Sequence, residues 1–210
     1  MIDLYTWGTP NGRKISIALE EMGLSYAVHT VNIGKDEQFA PAFLAISPNN
    51  KIPAIVDRDT GLSIFESGAI LMYLGDKTGK LYPSDFAKRI RVHEWLMWQM
   101  SAVGPMLGRA HYFLKYNAGK SSFAEAWFAE EAKRIYGVLD RLLEASEFMC
   151  GDYSIADIAT FPWIARHDWQ RISLNDFPSV KRWYLAIAGR PAVQKGYKVP
   201  DAAAEIPMPE

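Results

Sequence analysis

Three loop segments carry residue types beyond what a turn needs. Gly8-Thr9-Pro10-Asn11-Gly12 places a hydroxyl and a carboxamide where a helix should begin. Free N–H groups and the helix dipole favour an anion there. The same residues would serve equally as an ordinary N-cap, with Pro10 in the first turn. Phe65-Glu66-Ser67-Gly68 has the same two readings. Ser67 and adjacent N–H groups can hold a carboxylate while Glu66 holds an ammonium, a pair suited to an α-amino-acid head group, or Ser67 simply caps. In Asn49-Asn50-Lys51-Ile52-Pro53 a proline stands at the mouth of a predicted strand. A cis Ile52–Pro53 bond would turn the Ile52 amide groups outward, where an extended peptide could pair with them. From the residues alone a trans proline is the default, since only about 5–6% of X–Pro bonds are cis.

Other chemistries find no support. His93-Glu94 is followed by Met97 where a zinc-protease motif needs a second histidine, and no Cys/His cluster has ligand spacing, so we expect no metal. No glycine-rich phosphate loop follows a strand. Cys150, the single cysteine, lies outside the N-terminal region, so the chain cannot run its own dithiol exchange. Beside the capping motif that follows it, Cys150 reads as a small buried hydrophobe. The aromatic and methionine residues Trp95, Met97, Trp98, Met100, Met106, Tyr112, Phe113 and Tyr116 read mostly as core. The end from Gly104 to Tyr116 could also line an apolar pocket facing the first domain.

The elements that must position these loops can be read from hydrophobic period and breakers. Ile2–Trp7 predicts a strand. Ile15, Ala18, Leu19 and Met22 predict a helix stopped by Gly23, and Tyr26–Val31 a second strand. Phe39, Phe43, Leu44 and Ile46 suggest a short helix before Pro48. Ala54-Ile55-Val56 and Leu62–Phe65 form a predicted hairpin, and Ile70, Leu71, Tyr73 and Leu74 one face of a further helix. The order β-α-β-α-β-β-α implies an α/β domain with a mixed four-stranded sheet over residues 1–80. After a linker at 80–85 strand signals vanish, and 87–200 is expected to be an all-α domain. One helical stripe runs from Val92 to Leu107, with a kink expected at Gly104-Pro105. A second runs through Phe123, Trp127, Ala132, Ile135, Val138, Leu139 and Leu142. Ser154-Ile155-Ala156-Asp157 is a capping box, with Tyr153 placed to staple onto Ile158. Another helix should follow Pro178, and the Ala/Pro-rich tail from Pro200 should be loose.

The chain has 210 residues, 49% hydrophobic and 22% charged, with a formal net charge of -1. That balance gives no field favouring nucleic acid or an anionic membrane. No apolar run approaches the roughly 20 residues that span a bilayer, and MIDLYTWGTP does not read as a secretory signal. One cysteine suits a reducing compartment, so the expected location is the cytoplasm.

Together the strand-loop-helix opening, Lys51-Ile52-Pro53-Ala54-Ile55, Glu66-Ser67-Gly68-Ala69-Ile70 and Ser154-Ile155-Ala156-Asp157 resemble the cytosolic glutathione transferases over nearly the whole chain. Thr9-Pro10-Asn11-Gly12 with Ser47-Pro48-Asn49-Asn50-Lys51-Ile52-Pro53 resembles more specifically the bacterial nu-class proteins, associated with disulfide-bond reductase activity. The resemblance implies a thioredoxin-like N-terminal domain, an all-helical C-terminal domain and glutathione as cosubstrate. It implies that Pro53 is cis, with the Ile52 backbone pairing with the cysteinyl part. By the same match Glu66 and Ser67 hold the γ-glutamyl end, Gln38 and Lys51 lie near the glycyl carboxylate, and Thr9 and Asn11 stand at the sulfur as the catalytic pair. Tyr5, inside a strand, is expected to be packed rather than to activate the thiol. One position departs from the pattern: where some relatives carry a glutathione-holding arginine near the start of the fifth helix, this chain has Trp127, with Lys115 and Lys120 the nearest cations in sequence. The implied second substrate is a small disulfide or an electrophile, the assembly a homodimer. Disulfide reduction, conjugation to electrophiles and a non-catalytic binding module are the rival functions. The polar sulfur loop together with an intact Glu66-Ser67 pair argues against the last.

Overall fold

β1 (Ile2–Thr6) buries every residue but Tyr5 appreciably and forms the centre of a four-stranded sheet. The computed structural model describes residues 1–209 and divides into two units, 1–83 with 189–206 and 84–188 with the stretch from 207 onward. In the first unit β1 leads into α1 (Pro10–Met22) and β2 (Tyr26–Thr30). Two 3₁₀ turns and the one-turn α2 (Pro41–Leu44) follow, then the hairpin β3 (Ala54–Asp57) and β4 (Ser63–Phe65), and finally α3 (Ser67–Thr78). The sheet order is β2-β1-β3-β4; β1 runs parallel to β2 and antiparallel to β3, so the sheet is mixed. Leu4 lies opposite both Val28 and Ile55 in register. Ile2, Leu4, Ile15, Ala18, Leu19, Ile55, Ile70, Leu71 and Leu74 are all fully buried and make the core. The predicted element order is the observed one.

Local chemistry sets the ends of α1. Thr9 Oγ1 accepts the Gly12 N–H at 3.2 Å, Pro10 occupies the first turn, and Gly23 ends the helix at φ 72°. Gly12 must lack a side chain, because a Cβ there would strike the Trp7 carbonyl and Thr6 Oγ1.

In the second unit α4 (Phe86–Trp98) runs into a π-helical turn at 99–103, α5 (Gly104–Ala110) and another π-helical stretch at 111–116. Val92, Leu96, Val103 and Leu107 form its buried stripe. The sequence suggested a kink at Gly104-Pro105, and the π-helical turn that widens the ladder lies immediately before it. α6 (Ser122–Leu143) corrects the second expected stripe. Phe123 is 80% and Trp127 50% exposed, and burial begins only at Ala132 and continues through Ile135, Tyr136, Leu139 and Leu143. α7 (Ile155–Ile164) is buried throughout and opens on the predicted capping box. α8 (Pro178–Ala188) follows Pro178 as expected.

α9 (Pro191–Tyr197) groups with the first unit rather than with the other late helices, which moves the boundary from the expected 87–200. The reason is its packing on α1. Ser16 Oγ donates to the Gly196 carbonyl at 2.7 Å, Arg13 Nε to the Tyr197 carbonyl at 3.1 Å, and Arg190 forks onto Glu21 at 2.6 and 2.9 Å. Only glycine fits at 196, since a Cβ would lie 2.6 Å from Ile17 Cα. Among the described residues no helix is long and apolar enough to cross a membrane, and no group of three His, Cys, Asp or Glu side chains is placed to hold a metal.

Candidate functional site

One cleft in the first unit gathers residues from three separate loops. Asn11 from α1, Ser47, Lys51, Ile52 and Pro53 from the segment before β3, and Phe65, Glu66 and Ser67 from the β4–α3 junction line about 150 Å³. That is roughly half the smallest volume usual for a drug-sized ligand, so it suits one end of an extended molecule. The peptide bond between Ile52 and Pro53 is cis. Ile52 stands just outside the ladder, which starts where Ala54 meets Tyr5 and Phe65. Ser47 Oγ donates to the Lys51 carbonyl at 2.9 Å and holds the turn in place.

The β4–α3 junction starts α3 without a side-chain cap. Glu66 occupies the N-cap position with φ 68°, a region costly for a residue with a side chain, and that side chain makes no capping bond. Strain of this kind, of order 1–3 kcal/mol, clusters at ligand sites. Ser67, the first residue of α3, is 7% exposed, and its Oγ lies 3.2 Å from Lys14 Nζ. Lys14 is itself 1% exposed; burial pushes its pKa down to about 7, partly offset by the charge of Glu66. The cleft thus combines a helix N-terminus, a hydroxyl and an exposed carboxylate, with the buried Lys14 amine in hydrogen-bond contact with that hydroxyl.

Comparison with known proteins agrees in sequence and shape. Residues 1–76 match the glutathione S-transferase N-terminal domain family, and residues 107–197 the corresponding C-terminal domain family. The chain is 48% identical over 198 residues to the disulfide-bond oxidoreductase YfcG of Escherichia coli, covering 91% of this chain and 92% of that protein. This chain belongs to the glutathione transferase family. The family member YghU, also named a disulfide-bond oxidoreductase of Escherichia coli, is 37% identical, covering 93% of this chain and 73% of that protein. A Pseudomonas putida glutathione transferase solved with one glutathione disulfide per subunit superposes with a TM-score of 0.89 at 43% identity, over 95% of this chain and 91% of that one. A Burkholderia graminis transferase with two glutathione molecules per subunit gives 0.90 at 45%, over 95% and 88%.

In this transferase Asn11, Lys51, Ile52, Pro53, Glu66 and Ser67 meet at one cleft, whereas Thr9 and Gln38 are not among its lining residues. Thr9 caps α1; accepting one bond leaves its hydroxyl proton able to donate. Gln38 Nε2 lies 3.4 Å from Asp36 Oδ1, while its buried Oε1 has no partner. Tyr5 is packed, stacked on His29 at 4.7 Å and tilted against Phe43. Trp127 makes an edge contact with Phe128. Cys150 Sγ lies 3.6 Å from the Arg91 carbonyl, and burial pushes its thiol up to about 12, the wrong direction for a reactive cysteine. A larger cleft, about 390 Å³, opens in the helical unit between 167–175 and Pro207–Pro209 but contains no α-helix N-terminus. The sequence reading missed Lys14. Its signal was spacing: 14, 18 and 22 lie on one face of α1, so a lysine stands on an otherwise apolar stripe.

Proposed function

We propose that this transferase binds glutathione in the Glu66–Ser67 cleft and uses its thiolate to reduce disulfide bonds. The observation that carries the reading is the convergence of Asn11, Ile52-Pro53 and Glu66-Ser67 on one cleft. Glu66 pairs with the γ-glutamyl ammonium, while Ser67 and the α3 N-terminus take the adjacent carboxylate. The Ile52 backbone pairs with the cysteinyl residue as an added strand would, and Lys51 with Gln38 faces the glycyl end. Asn11 and Thr9 stand at the sulfur as hydrogen-bond donors.

A free thiol with pKa about 8.5 is only a few per cent thiolate at pH 7. Lowering it by two units takes about 2.7 kcal/mol. Hydrogen bonds to a charged acceptor contribute about 1.5–3 kcal/mol each, so two donors suffice. The bound thiolate attacks one sulfur of a disulfide, forming a mixed disulfide and expelling the other half as thiolate. A second glutathione thiolate then attacks the glutathione sulfur of that intermediate. Glutathione disulfide forms, and the second half of the substrate leaves as thiolate. No protein thiol takes part, in keeping with the inert setting of Cys150. A homodimer in the reducing cytoplasm is the setting this reading implies.

The test combines an ultraviolet thiolate titration of bound glutathione with turnover of a small organic disulfide, in Asn11→Ala and Thr9→Ala. Thr9→Ser is the control that keeps the α1 cap. The thiol pKa should rise and the rate fall together in both alanine variants. If neither moves, both residues only shape the loop. Turnover of electrophiles exceeding disulfide reduction would replace this reading by conjugation.

A further inference from the structure

His167 opens the 3₁₀ turn His167–Gln170 of the helical unit, and its Nδ1 lies 3.0 Å from the Ile172 carbonyl. A carbonyl only accepts, so Nδ1 carries a proton and Nε2 of the neutral ring is an acceptor. That Nε2 is closed off from bulk water and has no hydrogen-bond partner among the protein's groups. A buried acceptor with no bond costs about 1–3 kcal/mol, and such groups in folded proteins call for an explanation. The ring stands in the wall of the second cleft, whose volume of about 390 Å³ is that of a small-molecule site.

The other walls narrow what fits. Ile172 and Leu174, both buried, form one apolar side, and Pro207, Met208 and Pro209 form another. Asp168 also lines the cleft; it is exposed, and its carboxylate enters no ion pair among the described residues. The neighbouring cations are engaged elsewhere and none of them lines the cleft. Arg171 reaches Glu125 at 3.2 Å and the Leu114 carbonyl, Arg166 lies over the Trp169 ring, and Lys181 Nζ lies 2.5 Å from Asn175 Oδ1. An unmade neutral acceptor and a free carboxylate between apolar walls select a ligand with N–H donors, a flat apolar body and positive charge. We propose that this cleft is a binding site for a small aromatic amine, with a ring N–H donating to His167 Nε2 and the ammonium pairing with Asp168. The ring packs between Leu174 and Met208, whose thioether suits an aromatic face or edge. Among the described residues, the three tail residues of the wall make one hydrogen bond, from the Tyr184 hydroxyl to the Pro207 carbonyl at 2.6 Å, so that wall can yield to admit the ring. The site lies wholly within the helical unit and shares no residue with the Glu66–Ser67 cleft, so it stands whether or not that cleft takes glutathione.

The probe is tryptamine, which carries an indole N–H and an ammonium; indole-3-propionate, the same ring on a carboxylate, is the control. Each is titrated calorimetrically into the whole chain at pH 7.5, with and without saturating glutathione. Wild type should prefer tryptamine by at least about tenfold, the scale of one hydrogen bond to a charged group, and glutathione should not change this. Asp168→Asn should abolish the preference, an effect that a merely structural aspartate would not have. His167→Asn keeps an N–H for the Ile172 carbonyl but has no atom at Nε2, and should weaken tryptamine by at least about threefold. No binding of tryptamine by wild type at millimolar concentration would overturn the inference. So would equal binding of the two probes, displacement of tryptamine by glutathione, a preference that survives in Asp168→Asn, or unchanged affinity in folded His167→Asn. Asp168 is exposed, so its variant decides the question even if His167→Asn does not fold.

Discussion

Asp157 is the carboxylate whose loss should cost the helical unit most. It is fully buried and accepts four hydrogen bonds. They come from the Ser154 N–H at 2.9 Å, the Ser154 hydroxyl at 3.2 Å, the Met149 N–H at 2.9 Å and the Trp183 indole N–H at 2.9 Å. One side chain thereby ties the start of α7 to the turn before it and to α8. Asp157→Ala leaves the Met149 and Trp183 donors buried without an acceptor, at about 1–3 kcal/mol each. It also removes half of the capping box, worth about 1 kcal/mol more. Burial holds the Asp157 pKa above the usual carboxylate value despite these bonds, so relief from burying the charge offsets part of the loss. The expected net destabilisation is about 3–4 kcal/mol, a large fraction of the roughly 5–15 kcal/mol of a typical fold. Asp157→Asn keeps an acceptor oxygen and should lose about half as much. Urea unfolding followed by tryptophan fluorescence gives both values from the midpoint shift at constant slope. A loss below about 1 kcal/mol for the alanine variant, or an equal loss for both, would refute the reasoning.

At the head-group end, Glu66→Ala should weaken glutathione by about 2 kcal/mol or more and Ser67→Ala by about 1, because only the first removes a charge pair. Calorimetric titration giving equal or reversed losses would reverse the assigned roles. In Asp57, burial alone would raise the pKa, but Lys77 at 2.7 Å and the Tyr73 hydroxyl at 2.5 Å hold it down at about 2. A carboxyl depressed in the folded state stabilises fully above its unfolded value and loses that contribution as pH falls towards about 2. Acid unfolding of Asp57→Asn should therefore be flatter between about pH 5 and pH 1 by about 2.5 kcal/mol in all, at 1.36 kcal/mol per pKa unit. Cys150→Ala should leave glutathione-dependent turnover nearly unchanged; a loss above about tenfold in folded protein would give the thiol a role.

The first unit was legible because each element is closed by a breaker that does the expected job. Gly23 stops α1 in the left-handed region, and the β-former runs at β1 and β3 pair so that Leu4 and Ile55 lie opposite each other, both fully buried. The second unit was legible where polar caps announce a helix, as at Ser154 and Asp157. It was misread where aromatic residues were assumed to be core. Phe123 and Trp127 share the period of α6 but stand on its first turns, before the buried stripe begins. Tyr136 is fully buried because its hydroxyl donates to Gln170 Oε1 at 2.6 Å, a partner 34 residues away that no local pattern reveals. Lys14 escaped for the opposite reason. A charge on a helix usually marks the solvated face, and only the α3 end that it meets makes burial intelligible.

Capping and anion binding call for the same residue types, so sequence alone leaves the Thr9 and Ser67 loops with two readings each. The two loops differ in whether a side chain already bonds to the helix end. At α1 the Thr9 oxygen takes the Gly12 N–H, so that terminus has its acceptor from within the chain. At α3 the N-cap position belongs to Glu66, which makes no capping bond and holds a backbone conformation costly for a residue with a side chain. The Glu66 carbonyl accepts the Ile70 N–H at 2.9 Å, so the strained residue starts the helix ladder with its backbone while its side chain stays out of the cap. A side chain left out of the cap agrees with the carboxylate docking proposed above for Ser67 and the α3 N-terminus. On this physical ground the two loops differ: the Thr9 side chain caps its own helix and the α1 loop presents Asn11 to the cleft, while the α3 start has no side-chain cap, in keeping with the anion subsite proposed above.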